Sequence, residues 1–275
     1  MRIREVMITA ARRAVAIVLL VSPLGLTIVA RGQSFLQFDG LTNYVEVPDS
    51  QDFSVSTTGG LTVSAWMRPD VLNFPTPEGS GYVRWLGKGT PRQGPTPAQH
   101  EWVFRMYNLE NAENRPNRIS FYVFNLSGGE GIGSYFQDPV APGEWIHVVG
   151  VADTEKTYIF KNGVFRRCDQ YRGTGPRACQ QYDPSRWIQP EHGTAPVRMG
   201  TRDFRSYFQG SVAEVRVWNR PLTAEEIADL YASNVVPQGG LVAEYLLNEG
   251  DGIIAHDTAG GHDGTIFGAT WVPQQ

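Results

Sequence analysis

Apolar residues recur at every second position in segment after segment of this chain. Leu61, Val63, Ala65 and Met67 share one face of their run. Ile119–Phe124 and Trp145–Val151 alternate in the same way. Ala213, Val215 and Val217 point one way while Glu214, Arg216 and Trp218 point the other. A pleated strand with one buried face imposes this period, and a helix cannot present it. Between Tyr158 and Phe165, the pair Asn162-Gly163 separates two apolar stretches. Asn-Gly adopts the positive φ angles of a tight two-residue turn, which predicts a hairpin there. The chain is expected to be β nearly throughout.

One helix is signalled, over residues 224–232. Thr223 can cap it and Glu226, three residues on, completes a capping box. Leu222 and Ile227 occupy the positions of a hydrophobic staple. Ile227, Leu230 and Tyr231 follow at helical spacing, and Asn234 and Pro237 end the run. Two stretches break the β pattern. Residues 73–99 are rich in Pro and Gly around a short strand-like run, Tyr82–Leu86. Residues 166–196 carry both cysteines, with Tyr171, Tyr182, Trp187 and His192. Loops of this length are functional or disordered; the aromatics and the cysteine pair argue for order in the second.

The first 33 residues stand apart. Arg2, Arg4, Arg12 and Arg13 precede an apolar run from Ala14 to Ala30, broken by Pro23. A basic start, an apolar centre and a small residue at the end describe a secretory leader; a retained membrane anchor is the alternative. The leader holds five arginines against one glutamate, so removing it takes the formal charge from −4 to −8. An acidic exported chain is a poor match for nucleic acid, and no stable membrane span is expected once the leader is gone. Cys168 and Cys179 are the only cysteines. In an exported chain they are expected to form a disulfide that shapes the loop between them, with two free thiols as the alternative.

Several motifs taken in order resemble a laminin-G-like domain of the concanavalin A-like lectin/glucanase superfamily. They are Phe38-Asp39-Gly40 leading into Tyr44-Val45-Glu46-Val47, then Leu61–Trp66, Trp145–Val148 and Tyr158–Gly163, and finally Ala213–Ile227. The resemblance covers about residues 35–232 and implies a two-sheet antiparallel jelly-roll sandwich, to which the residues add one short helix. The expected division is a leader at 1–33, the laminin-G-like jelly roll at 34–235 and a strand segment at 236–275. That last segment is similar to one that commonly precedes the Phe-Asp-Gly motif in the family. It is expected to pair back onto the same sandwich, the alternative being the start of a missing domain.

Many members of the superfamily bind calcium at the sandwich edge, which needs six to eight oxygens. The resemblance therefore points to Asp39, Glu214 and the carbonyl of Gly60 as possible calcium ligands. Ala213 stands where the family often has an acid. The alternative is that Asp39 caps a turn while Glu214 pairs with Arg216 or Arg220. The superfamily also contains glycoside hydrolases and lyases. A retaining glycosidase needs two carboxylates close across the sugar, and no Glu-x-Asp-x-x-Glu string lies on any expected strand. Nor does a Gly-x-Ser-x-Gly elbow occur, and the five histidines lack zinc spacing. Sugar recognition rests on aromatic planes and a few orienting polar groups. The cysteine-bearing loop offers Tyr171, Arg172, Arg177, Tyr182 and Trp187, with Trp85 and Tyr135 as possible neighbours. The expected function is a secreted, periplasmic or cell-surface carbohydrate-recognition or adhesion module without catalysis. Its partner would be a glycan or an extracellular protein. An envelope interaction or structural module is the first alternative, and a polysaccharide-active hydrolase or lyase the second.

Overall fold

The computed structural model describes residues 34–174 and 178–274, so the expected leader at 1–33 lies outside the described residues. In chain order the strands are β1 (Ser34–Asp39), β2 (Tyr44–Val47), β3 (Leu61–Pro69), β4 (Tyr82–Thr90), β5 (Gln99–Tyr107), β6 (Ile119–Val123), β7 (Ile132–Phe136), β8 (Ile146–Ala152), β9 (Lys156–Lys161), β10 (Val164–Gln170), β11 (Gln180–Gln181), β12 (Val197–Met199), β13 (Gln209–Trp218), β14 (Leu241–Tyr245), β15 (Ile254–Ala255), β16 (Gly264–Phe267) and β17 (Thr270–Pro273). A one-turn helix α1 (Val55–Thr58) precedes β3, and α2 (Ala224–Ser233) follows β13. Among the described residues no helix is long and apolar enough to cross a membrane.

Two sheets face each other. The first runs β11-β10-β9-β8-β3-β13-β1-β17, with β14 also beside β13; the second runs β15-β16-β2-β12-β4-β5-β6-β7. Among the described residues only the short β10–β11 contact is parallel. The alternating residues meet between the sheets: Val63, Ala65, Met67, Ile146, Val148 and Ile159 from one, and Val83, Trp85, Trp102, Phe104, Phe121 and Val123 from the other. The sheets come close at Gly150, where a Cβ would run into the Phe121 ring and lie 2.7 Å from that of Phe104.

The hairpin forms at Asn162-Gly163, with φ of 52° and 76°. The capping box at Thr223 and Glu226 is present, and α2 lays Ile227 and Leu230 against Val149, Val151, Phe160 and Trp218 on the outside of the first sheet. Strand β13 serves two partners on one edge. Its first half pairs with β1 and its second half with β14, and a bulge at Glu214 (φ 48°) separates them. The C-terminal strands enter both sheets: β17 adds to β1, β14 to β13, and β16 to β2.

Candidate binding groove

The strands that pack Trp102, Phe104 and Phe121 into the core turn their alternate side chains outward. Tyr82 and Arg84 on β4, Arg105 and Tyr107 on β5, and Tyr122 on β6 therefore share the outer face of the second sheet. The register sets Tyr82 opposite Tyr107 and Arg84 opposite Arg105. Loops rise around this floor and carry Glu113, Arg115, Phe124, Gly129, Glu130, Gly131, Tyr182, Arg186, Arg202 and Arg205 to the walls. Together with His100 they enclose an open groove of about 650 Å³. Tyr107 and Phe124 are buried, whereas Tyr82, Tyr122 and Tyr182 keep part of their surface free.

The electrostatics of the groove run against the acidic chain. Asp203 is buried behind its wall, where Arg202 donates to it at 2.7 Å and Arg84 donates as well. Burial pushes the Asp203 carboxyl up, but the two guanidiniums outweigh it and hold the group at about 2. Arg84 also pairs with Glu78 at 2.8 Å. Burial, and then the neighbouring Arg84, lower Arg202 to about 10, so it stays charged at neutral pH. The Arg105 guanidinium lies 4.8 Å from the Tyr82 ring centre, 4.6 Å from Tyr122 and 5.3 Å from Phe124.

His100 is pushed down to about 3, first by burial and then by the charge of Arg202. Its imidazole is therefore neutral in the folded protein at pH 5, where an unfolded chain would hold it protonated. The unfolded state binds the extra proton between about pH 6.5 and pH 3, so stability should fall as pH drops through that window. Melting temperatures taken from pH 7 to pH 4 should decline more steeply for the native chain than for His100→Gln. Parallel curves would contradict this environment for His100.

Of the residues expected to meet a sugar, the structure brings Tyr182 to the groove, its hydroxyl donating to Asp169 at 3.2 Å. Tyr171 is wholly buried and anchors its loop through Asp153. Arg172 borders a separate cavity of about 160 Å³ with Tyr171 and Pro190. Trp187 is half-buried and donates its indole N–H to the Tyr182 carbonyl, so it tucks the loop down. Arg177 lies outside the described residues. Trp85 is fully buried in the core, and Tyr135 is held between Arg118 and Arg167. The Cys168–Cys179 disulfide is closed and ties β10 to the strand that follows.

The calcium ligand set suggested by the resemblance does not assemble. Asp39 Oδ1 accepts from the backbone N–H groups of Leu41, Thr42 and Asn43, which is a turn cap. Glu214 accepts from Arg216 at 3.1 Å. The register sets Asp39 opposite Gln209, five positions along β13 from Glu214, or roughly 16 Å of strand. Gly60 packs against Pro221, beyond the other end of β13. A calcium ion cannot span these three places. Elsewhere, Asp49, Glu101 and His192 approach one another. There the fully buried Lys88 ammonium sits 2.7 Å from Asp49 and also contacts Glu101, supplying the positive charge a metal would bring.

The family described as the Concanavalin A-like lectin/glucanases superfamily matches residues 38–228. A search among curated proteins finds no match. Among solved structures, a proposed carbohydrate binding protein from Bacteroides ovatus ATCC 8483 is 18% identical with a TM-score of 0.58, over 89% of this chain and 61% of that one. The chain thus spans about three fifths of that protein, and at this identity the likeness is one of fold. The heptameric SAP-like pentraxin of Limulus polyphemus is 12% identical, with a TM-score of 0.47, over 76% of this chain and 87% of that one.

Proposed function

Since the chain belongs to the Concanavalin A-like lectin/glucanases superfamily, we propose that it is an exported carbohydrate-recognition module that binds its glycan in the groove over β4, β5 and β6. One observation carries the reading: three partly exposed tyrosines, Tyr82, Tyr122 and Tyr182, border an open groove whose other walls are rich in guanidinium donors. Aromatic faces stack on the apolar faces of sugar rings, and fixed polar groups set orientation.

The mechanism is binding without bond cleavage. A glycosidase needs one carboxyl free to donate a proton and another free to attack or to activate water. Among the residues lining the groove the acids are Glu113 and Glu130, both exposed and both tied up, by Arg115 and Arg186. Export is supported by the disulfide and by the basic and apolar pattern of residues 1–33. A glycan array probed with the purified chain, with and without calcium, is expected to give a reproducible signal for at least one class of glycan. A blank array under both conditions overturns the reading.

A further inference from the structure

We propose that this groove selects sugars bearing an anionic group, a uronate carboxylate or a sulfate ester, and that Arg105 and Arg202 form its seat. This rests on the glycan-binding reading of the same groove and names the class of glycan.

The charge inventory points this way. Among the described residues six arginines line the groove: Arg84, Arg105, Arg115, Arg186, Arg202 and Arg205. Four have carboxylate partners: Arg84 with Glu78 and Asp203, Arg202 with Asp203, Arg115 with Glu113, and Arg186 with Glu130. Among the described residues Arg105 and Arg205 have none. The surplus of positive charge arises in a chain whose formal charge is −4, so it belongs to the site and not to the composition.

The placement of these charges costs the fold something. Arg84 and Arg105 are direct cross-strand neighbours, an arrangement that destabilises a sheet when the charges are alike. Arg202 is only 1% exposed, yet its Nε and Nη1 have no hydrogen-bond partner, and the Nε of Arg105 has none either. Buried charged donors left unmatched are expensive. An oxyanion drawn to this cluster would offset the Arg84–Arg105 repulsion, and the exposed Arg205 at the groove wall can reach it without displacing a carboxylate. The planar guanidinium fork matches carboxylate and sulfate oxygens, and the rings of Tyr82, Tyr122 and Phe124 hold Arg105 in place without an acid. The parts of Tyr82 and Tyr122 left exposed beside Arg105 offer the surface on which the sugar ring would lie. A neutral sugar would leave the guanidinium charge uncompensated.

The test is calorimetric titration with matched polymers: polygalacturonate against its methyl ester, dextran sulfate against dextran, and a thymidine oligonucleotide as a polyanion without exposed sugar faces. At least one acidic polymer should bind about tenfold or more tightly than its neutral counterpart, and the stronger of the two identifies the anion. The advantage should shrink as NaCl rises from about 0.05 M to about 0.5 M. It should fall about tenfold in Arg105→Gln and by a smaller factor in Arg205→Gln, an exposed position whose change does not threaten folding. Neutral polymers bound as tightly as acidic ones overturn the proposal while leaving the glycan-binding reading standing. So does an anion preference unchanged in both variants. Tighter binding of the oligonucleotide overturns it in favour of nucleic acid. Failure of every glycan, neutral or acidic, removes the glycan-binding reading itself.

Discussion

Deleting residues 239–275 should abolish the cooperative fold. Those residues supply β14 and β17 to the first sheet and β15 and β16 to the second. They also bury Ala243, Tyr245, Leu247, Ala255 and Ile266. Without them Val215 and Val217 on β13, and Val45 and Val47 on β2, lose neighbours that now keep them from water. Burying one large apolar side chain contributes roughly 1.5–3 kcal/mol. Losing several at once rivals the roughly 5–15 kcal/mol by which a whole domain is stable. The cut would also expose unpaired edges on β1, β2 and β13, which invite aggregation. The truncated chain is therefore expected to be insoluble or to melt without a transition. A truncated chain melting within a few degrees of the full one would show that these strands add little to the sandwich.

The second large effect concerns the groove. Tyr82→Ala and Tyr122→Ala should each weaken glycan binding by about five- to thirtyfold, or about 1–2 kcal/mol, while far-ultraviolet circular dichroism stays unchanged. Both rings sit on the outer face of the second sheet and only part of their surface is buried. Truncating them removes stacking area without opening the core. Each ring also flanks the Arg105 guanidinium, at 4.8 Å and 4.6 Å. The double variant should therefore depart from a simple sum, because residues that share a partner couple. A double variant that keeps full affinity would move the sugar away from this face.

The frame and the groove differ in how far residue order alone reveals them. Strands β3, β6, β8 and β13, the Asn162-Gly163 hairpin and the Thr223-capped helix were all legible, because each carries its own local pattern. Strand β4 was legible only in its first half, as the strand-like run Tyr82–Leu86 inside an expected loop, and β5 was not. Gly87 and Gly89 interrupt the alternation of β4, and its pairing with β5 shifts register between Arg84 and Leu86 and again between Lys88 and Gly89. On β5, Glu101 and Val103 are buried on what would be the outward face, which blurs the period of two. The groove depends on cross-strand neighbours such as Arg84 and Arg105, and no local pattern encodes register. Tyr82-x-Arg84 and Arg105-x-Tyr107 were the available signal, two outward pairs of an aromatic and a cation. The stapled loop drew attention because it holds many aromatics, but Tyr171 is committed to packing there and Trp187 tucks the loop down. Asp39 fell to the commoner fate of an Asp before Gly, capping its own turn.

The location of the glycan is the central claim, and a hydrogen-exchange footprint tests it most directly. With a glycan selected from the array, the account predicts slowed exchange in β4, β5 and β6 and in the loop segments 129–131 and 202–205, with little change at the Asp39 turn or in α2. Protection confined to the Asp39 turn, to α2 or to the loop after β10, with β4 to β6 exchanging as in the free protein, would contradict it.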